Sequence, residues 1–299
     1  MVSYFDEISR NRLKSILLMS VFALLFFAII YVFVLALGGG PIAIAIGGVL
    51  VLLYAAFSYF AGSKVVLKMS GAKPADRSQN PMLFAAVEGI AAATQVPVPQ
   101  VYIINDQNPN AFATGRDKKH ASVAVTSGLL SMMNKDELEG VISHEMSHIS
   151  DNDIQFMMLA IVFAGVIGLA AAWIRMMFFF GGFGGNGRGN NAIILIVALA
   201  LSIIAPIVAL LIRLAISRKR EFMADANGAR LTRSPQSLAS ALEKIEGYTA
   251  KPNAAPIKRA NEITASLYFS NPLSGRSVMN IFSTHPPTAE RIKRLEAMY

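Results

Sequence analysis

Four long apolar runs constrain this chain more than any other feature of its sequence. They cover about Ile16–Leu37, Ile42–Phe60, Ile154–Ile174 and Ala192–Ile212, each about 19 to 22 residues long. A helix of that length crosses a hydrocarbon core of about 30 Å. Charged residues make up 15% of the sequence, against roughly 25% in a soluble domain. Gly38-Gly39-Gly40-Pro41 turns the first two runs into a hairpin, and the glycine-rich stretch Gly181–Gly189 separates the second two. The sequence therefore predicts a mainly α integral membrane protein with four transmembrane helices. The first run is too long for the apolar core of a signal peptide, and no small-residue cleavage site follows it, so it is read as a retained anchor.

The basic residues orient these spans. Arg10, Arg12 and Lys14 precede the first; Lys64, Lys68, Lys73 and Arg77 follow the second; Arg213, Arg218, Lys219 and Arg220 end or follow the fourth. The two interhelical loops hold only Arg175 and Arg188. An excess of Lys and Arg marks cytoplasmic segments, so both termini and all the soluble sequence are expected in the cytoplasm. Basic residues beside the spans also suit the anionic headgroups of a lipid bilayer. That distribution accounts for the net charge of +8 without nucleic acid, and no nucleic-acid partner is expected. With no cysteines, neither disulfides nor cysteine metal ligands are available.

The expected organisation is a transmembrane hairpin over residues 1–62 and a first soluble part over 63–153. A second hairpin follows over 154–216, and a second soluble part over 217–299. The soluble parts together hold about 170 residues, enough for one well-buried domain. Asn80-Pro81 opens a helix through PMLFAAVEGIAAATQ. Val101–Ile104 and Ser122–Thr126 are β-branched runs that read as strands, with Asn108–Gly115 (NPNAFATG) between them. Asn134 caps a helix with acidic residues in its first turn. REFMADANGARL reads as helical, Ser234-Pro235 starts another helix through about Gly247, and Thr288 caps a final amphipathic helix over Ala289–Met298.

Within the Asn134 helix lies His144-Glu145-Met146-Ser147-His148, an H-E-x-x-H pattern. Residues four apart share a helix face, so both imidazoles can reach one ion, and imidazole nitrogen suits zinc. Glu145 is rotated off that face, where it meets the attacking water rather than the metal, as a general base must. Leu138, Val141, Ile142, Glu145 and Ile149 form an overlapping stripe, which predicts a helix pressed into a core with its histidines at the rim. A catalytic zinc takes three protein ligands, and without cysteine the third is His, Asp or Glu. His148 stands about 9 Å of helix from Ile154, and Glu221 about 13 Å from Ile212. Glu221 is therefore the expected third ligand, at a comparable height above the membrane. Asp225, one turn further, is placed to accept a hydrogen bond from a ligand imidazole. On this reading the ligand helices continue spans three and four.

H-E-x-x-H paired with E-F-x-A-D after a membrane hairpin, together with NAFATG and THPPTAERI, resembles the HtpX-type heat-shock metalloproteases of bacterial membranes. These are relatives of the CAAX prenyl endopeptidases. The resemblance covers essentially the whole chain. It implies a cytoplasmic zincin-like α+β metalloprotease domain built from the two soluble segments. One zinc per chain would be held by His144, His148 and Glu221, with Glu145 as catalytic base. It further implies that Asn110, Ala111, Phe112 and Ala113 lie on an edge strand that pairs with substrate backbone. His285 would contact the oxyanion, with Arg291 as its supporting residue. The implied substrates are unfolded or damaged membrane proteins, with self-cleavage among the expected events. The implied place is the bacterial cytoplasmic (inner) membrane, in a stress response for protein quality control. A processing protease acting on prenylated tails would have more spans enclosing a chamber. A transporter would carry ionisable residues inside its spans, and these have none well inside.

Overall fold

The structure, a computed structural model, describes residues 40–155, 157–158, 218–250, 257–258, 267–270 and 286–298, with Phe27 and Tyr31. The expected fourth span, nearly all of the first and third, and His285 lie outside the described residues. By its packing the chain divides into two compact units: residues 1–60 with 159–212, and residues 61–158 with 213–299.

In the first unit, the second apolar run is helical. Helix α1 extends over Pro41–Met69, with proline at its first position, where the missing N–H costs nothing. It continues past the end of the apolar run at Phe60, through Lys64 and Lys68. Among the described residues, one helix is long and apolar enough to cross a membrane, Gly48–Met69, with a mean hydropathy of 1.7. Leu50, Leu52, Leu53, Phe57 and Phe60 are each at least 59% exposed, a continuous apolar surface that water does not favour.

The second unit is helical around a small sheet. Its strands are β1 (Ala72–Pro74), β2 (Gln100–Ile104), β3 (Ala111–Gly115) and β4 (Ala121–Thr126), in the order β1-β2-β4-β3. β1 runs antiparallel to β2, β2 parallel to β4, and β3 antiparallel to β4 with Ala113 opposite Val123. The parallel step is possible because β3 is inserted as a hairpin before β4 rather than between β2 and β4. That insertion leaves β3 at the edge. Gly115 makes the exit from β3, at φ 155°, where a Cβ would stand 2.7 Å from the His120 carbonyl.

The helices are α2 (Pro81–Thr94), α3 (Ser127–Met132), α4 (Lys135–Ser150), α5 (Arg218–Thr232), α6 (Pro235–Thr249) and α7 (Thr288–Glu296). α4 starts in a full capping box: the Asn134 side chain accepts from the Glu137 amide, and the Glu137 carboxylate accepts from the Asn134 amide. Lys244 of α6 then reaches Glu137 at 2.6 Å. The final helix differs from expectation at its start. Thr288 is its first residue rather than its cap, and Pro287 stands before it without a side-chain hydrogen bond.

α4 packs against α2, α5, α6 and β3, so it runs through the centre of this unit rather than along its surface. Glu137 and Leu138, then every residue from Gly140 to Ile149, are buried. The expected stripe of Leu138, Val141, Ile142, Glu145 and Ile149 does face the core, but burial extends beyond it around the helix. Val141, Ile142, Met146 and Ile149 join one core with Val87, Val123, Leu129, Leu238 and Leu242, and the polar face of the helix is buried as well.

Candidate metal centre

A buried polar face needs partners, and the residues around α4 supply them. His144 and His148 turn their Nε2 atoms toward each other at 3.2 Å. Glu221, in the first turn of α5, brings one carboxylate oxygen to 3.7 Å from His144 Nε2 and the other to 3.6 Å from His148 Nε2. One donor atom from each of the three residues lies within 4.8 Å of the others. Two imidazole nitrogens and a carboxylate oxygen, converging with the carboxylate beyond hydrogen-bond distance of either ring, match the donor set of a three-ligand zinc site. None of His144, Glu145, His148 and Glu221 is more than 4% exposed, so the expected position at a rim is corrected to one inside the unit.

The close approach of α5 to α4 is set by Gly228. A Cβ there would lie 2.9 Å from Ser143 Oγ and 3.2 Å from the His144 amide nitrogen. Gly228→Val should push α5 off the ligand helix, costing about 1–3 kcal/mol of stability. Chemical unfolding together with a count of bound metal would check this.

Each of these two histidines is held from behind. His144 Nδ1 donates to Asp225 Oδ1 at 2.9 Å. Arg291 of α7 grips the same carboxylate with both arms of its fork, Nε to Oδ2 at 2.9 Å and Nη2 to Oδ1 at 2.7 Å. It also donates to the Phe269 carbonyl at 3.2 Å and stacks over the Phe269 ring at 4.7 Å. Arg291 Nη2 lies 3.3 Å from His144 Nδ1; both are donors here, and the contact follows from their shared acceptor. The structure thus puts Arg291 behind His144 through Asp225, where the resemblance makes it the support of His285. His148 Nδ1 meets Asp153 Oδ2 at 3.1 Å, and Arg220 donates to Asp153 Oδ1 at 3.0 Å.

The second histidine system was not foreseen, and the reason is geometric. Asp153 follows His148 by 5 residues, which on a continuous helix turns it about 140° away. α4 is not continuous with the third apolar run. It ends at Ser150, Asp151 caps it, and Asn152 takes φ 62°. Helical backbone resumes at Asp153. The expectation that the ligand helix passes directly into span three is therefore corrected.

Charges at the site follow from burial and these contacts. Burial pushes His144 down to about 4, with the Arg291 charge adding to the fall and the Asp225 hydrogen bond opposing it. A neutral imidazole with its Nδ1 proton held leaves Nε2 free to bind a metal. Burial also works against charge on His148, but its hydrogen bond to Asp153 and the Glu221 charge outweigh that and raise it to about 9. Burial above all pushes Glu145 up to about 7; the His148 charge pulls it down, Glu221 raises it, and the Ala113 backbone N–H, which donates to its carboxylate, lowers it.

Burial alone would raise Asp225, yet the Arg291 charge and the hydrogen bond from His144 hold it down at about 2, below its ordinary 3.8. A carboxylate depressed in the folded state stabilises the fold at pH above its unfolded value. That contribution, about 2 kcal/mol, is lost as pH falls from about 4 through about 2. Chemical unfolding from pH 5 to pH 2 should show this slope in the wild type and a shallower one in Asp225→Asn.

The Ala113 amide ties Glu145 to the sheet edge. Register with β4 turns the peptide groups of Ala111 and Ala113 outward from β3. The Ala113 N–H serves Glu145, while the Ala111 carbonyl accepts from the Phe269 amide at 2.8 Å. Asn110 lies just before the strand, and its side chain pairs with both the amide and the carbonyl of Ser270, at 3.1 and 2.8 Å. Phe112 instead faces Tyr268, ring centroids 5.1 Å apart. Of the four residues expected to receive substrate, Asn110 and Ala111 are therefore already engaged by Phe269 and Ser270.

Comparison with known proteins fits this arrangement. Residues 77–299 match peptidase family M48. The chain belongs to peptidase family M48. It is a metalloprotease of that family, and similar proteins match it nearly end to end. A protein of Caldanaerobacter subterraneus described as "Protease HtpX homolog" is 45% identical, covering 97% of this chain and 96% of its own. One of Dictyoglomus turgidum with the same description is 42% identical over 99% of this chain and 95% of its own. The crystal structure of S. mikatae Ste24p has a TM-score of 0.53 at 18% identity, over 96% of this chain and 66% of that one; it shows a shared fold.

Proposed function

We propose that this M48 protein is an integral-membrane zinc endopeptidase. On this reading it hydrolyses peptide bonds of misfolded or damaged membrane proteins at the cytoplasmic face, with His144, His148 and Glu221 as ligands. The observation that carries the reading is the convergence of three donor atoms within 4.8 Å, beside a glutamate held by the amide of an edge strand. Zinc bound there would supply a Lewis acid for the scissile carbonyl and for the attacking water.

The chain's own residues do the rest. By the family resemblance, substrate backbone adds along the outer edge of β3 in place of the Phe269 amide that holds the Ala111 carbonyl, and its main-chain hydrogen bonds give affinity with little sequence preference. Glu145 takes a proton from the water as it attacks the carbonyl carbon, and gives that proton to the amine as the C–N bond breaks. Near neutral pH a carboxylate raised to about 7 is suited to both halves of that transfer. His285, by the family resemblance, contacts the developing oxyanion. Placement in a membrane is supported by the helix at Gly48–Met69 and by the composition of the three other runs.

The test uses the full chain in detergent with a chemically unfolded protein as substrate. Cleavage should stop on treatment with a strong chelator and return with one equivalent of zinc. Undiminished cleavage after complete metal removal would sink the reading. Release of the chain from membranes by an alkaline wash would remove the membrane assignment alone.

A further inference from the structure

We infer that Asn152, Asp153 and Arg220 form a positioning system for the metal ligand His148, made possible by a left-handed break at the end of its helix. The inference rests on the proposed metal site and adds to it residues outside the ligand set.

The two histidines come from one helix but are supported in different ways. For His144, the carboxylate and its arginine arrive from α5 and α7. For His148, the carboxylate comes from the same stretch of chain, which a regular helix could not deliver. Asn152, at φ 62°, resets the direction of the chain, and asparagine is among the few side chains that accept that conformation readily. The turn is closed by bonds from the Asp151 amide to the Ser147 carbonyl at 2.8 Å and from the Asn152 amide to the Ile149 carbonyl at 3.2 Å. Asp153 then comes back beneath His148, and its side chain is 5% exposed.

The turn is also fastened to α5. Arg220 takes the second oxygen of Asp153 at 3.0 Å, and Asn227 Nδ2 donates to Asp151 Oδ2 at 3.1 Å. Residues seven apart lie on one face of a helix, so both ties come from the same side of α5. Arg220 immediately precedes Glu221, so the bond that orients Asp153 also fixes the start of the helix carrying the third ligand. With Nδ1–H committed to Asp153, the His148 Nε2 lone pair is aimed at the space it shares with His144 and Glu221. A carboxylate behind a ligand histidine fixes its tautomer and ring angle, and losing one typically weakens metal binding about 10–100-fold.

The experiment measures zinc affinity of the full chain in detergent by competition with a chromophoric chelator, and the visible absorption of the cobalt-substituted protein. Asp153→Asn should weaken zinc about 10–100-fold and change the cobalt spectrum, while the melting of the metal-free protein reports on the fold separately. Arg220→Gln should weaken zinc in the same direction by less. Asn152→Val, which resists the left-handed turn, should behave like Asp153→Asn, whereas Asn152→Gly, which accepts it, should keep the higher affinity and the wild-type spectrum. That pair decides the matter if Asp153→Asn does not fold. Equal affinity and spectrum in wild type, Asp153→Asn and Asn152→Val would overturn the inference. Failure of the metal-site reading itself would show in the wild-type arm alone, as the absence of one bound zinc per chain.

Discussion

Glutamine in place of Glu145 is expected to leave the bound metal unchanged and to lower peptide hydrolysis by about 10²–10⁴-fold. Glu145 contributes no donor to the group formed by His144, His148 and Glu221. Its carboxylate instead accepts from the Ala113 amide, and a glutamine carbonyl can accept the same bond. Shape and hydrogen bonding therefore survive the change, and only the capacity to carry a proton is lost. Metal content by elemental analysis and single-turnover cleavage, measured on the same preparation, check the two halves together. Loss of metal in the variant would assign Glu145 to the ligand set; undiminished cleavage would assign the proton to another group.

Arg291→Ala should be the most destabilising single change at the site, by about 3–5 kcal/mol. The side chain is 2% exposed, as is the Asp225 carboxylate it pairs with, and it makes two bonds to that carboxylate and one to the Phe269 carbonyl. Removing it leaves a buried anion without its counter-charge and a cavity among Phe269, Asp225 and His144. Typical domains hold only about 5–15 kcal/mol in total, so the loss is a large fraction. Lysine should rescue little, because a single ammonium cannot reproduce the planar fork. Arg291→Met combined with Asp225→Leu should cost less than the sum of the two single changes, since neither charge is then left alone. Urea unfolding of the four proteins measures this; strict additivity would refute the coupling.

What the sequence made legible followed short-range rules. The Asn134 cap, the acidic first turn and the four-residue histidine spacing are all local, and α4 lies where they predict it. Glu221 and Asp225, one helical turn apart, also reach the two places foreseen for them, because an amphipathic helix fixes relative directions. β2 and β4 were readable from their β-branched runs. β1 was not, because three residues containing Pro74 carry no strand pattern, and pairing with β2 alone makes them extended. Nor was Asp153, since the break at Asn152 depends on how the chain beyond His148 is anchored to α5. The burial of α4 from Gly140 to Ile149 was likewise hidden: a helix with two histidines and three glutamates reads as half-solvated unless its partners are known. Those partners, Asp225, Arg291 and Lys244, come from distant parts of the chain.

The distance in sequence between Arg291 and His144 has a consequence in time. The two are 147 residues apart, and at roughly 5–20 residues per second of translation they are made about 7–30 seconds apart. Throughout that interval the nascent chain already carries its H-E-x-x-H helix but lacks the arginine that holds Asp225 against His144. A chain cut short between residues 226 and 290 stays in that condition permanently. It retains His144, Glu145, His148 and Glu221, yet the buried Asp225 has no counter-charge to fold around. Assembly of the site is thus gated by synthesis itself, because the arginine that steadies His144 through Asp225 is among the last parts of it to be made.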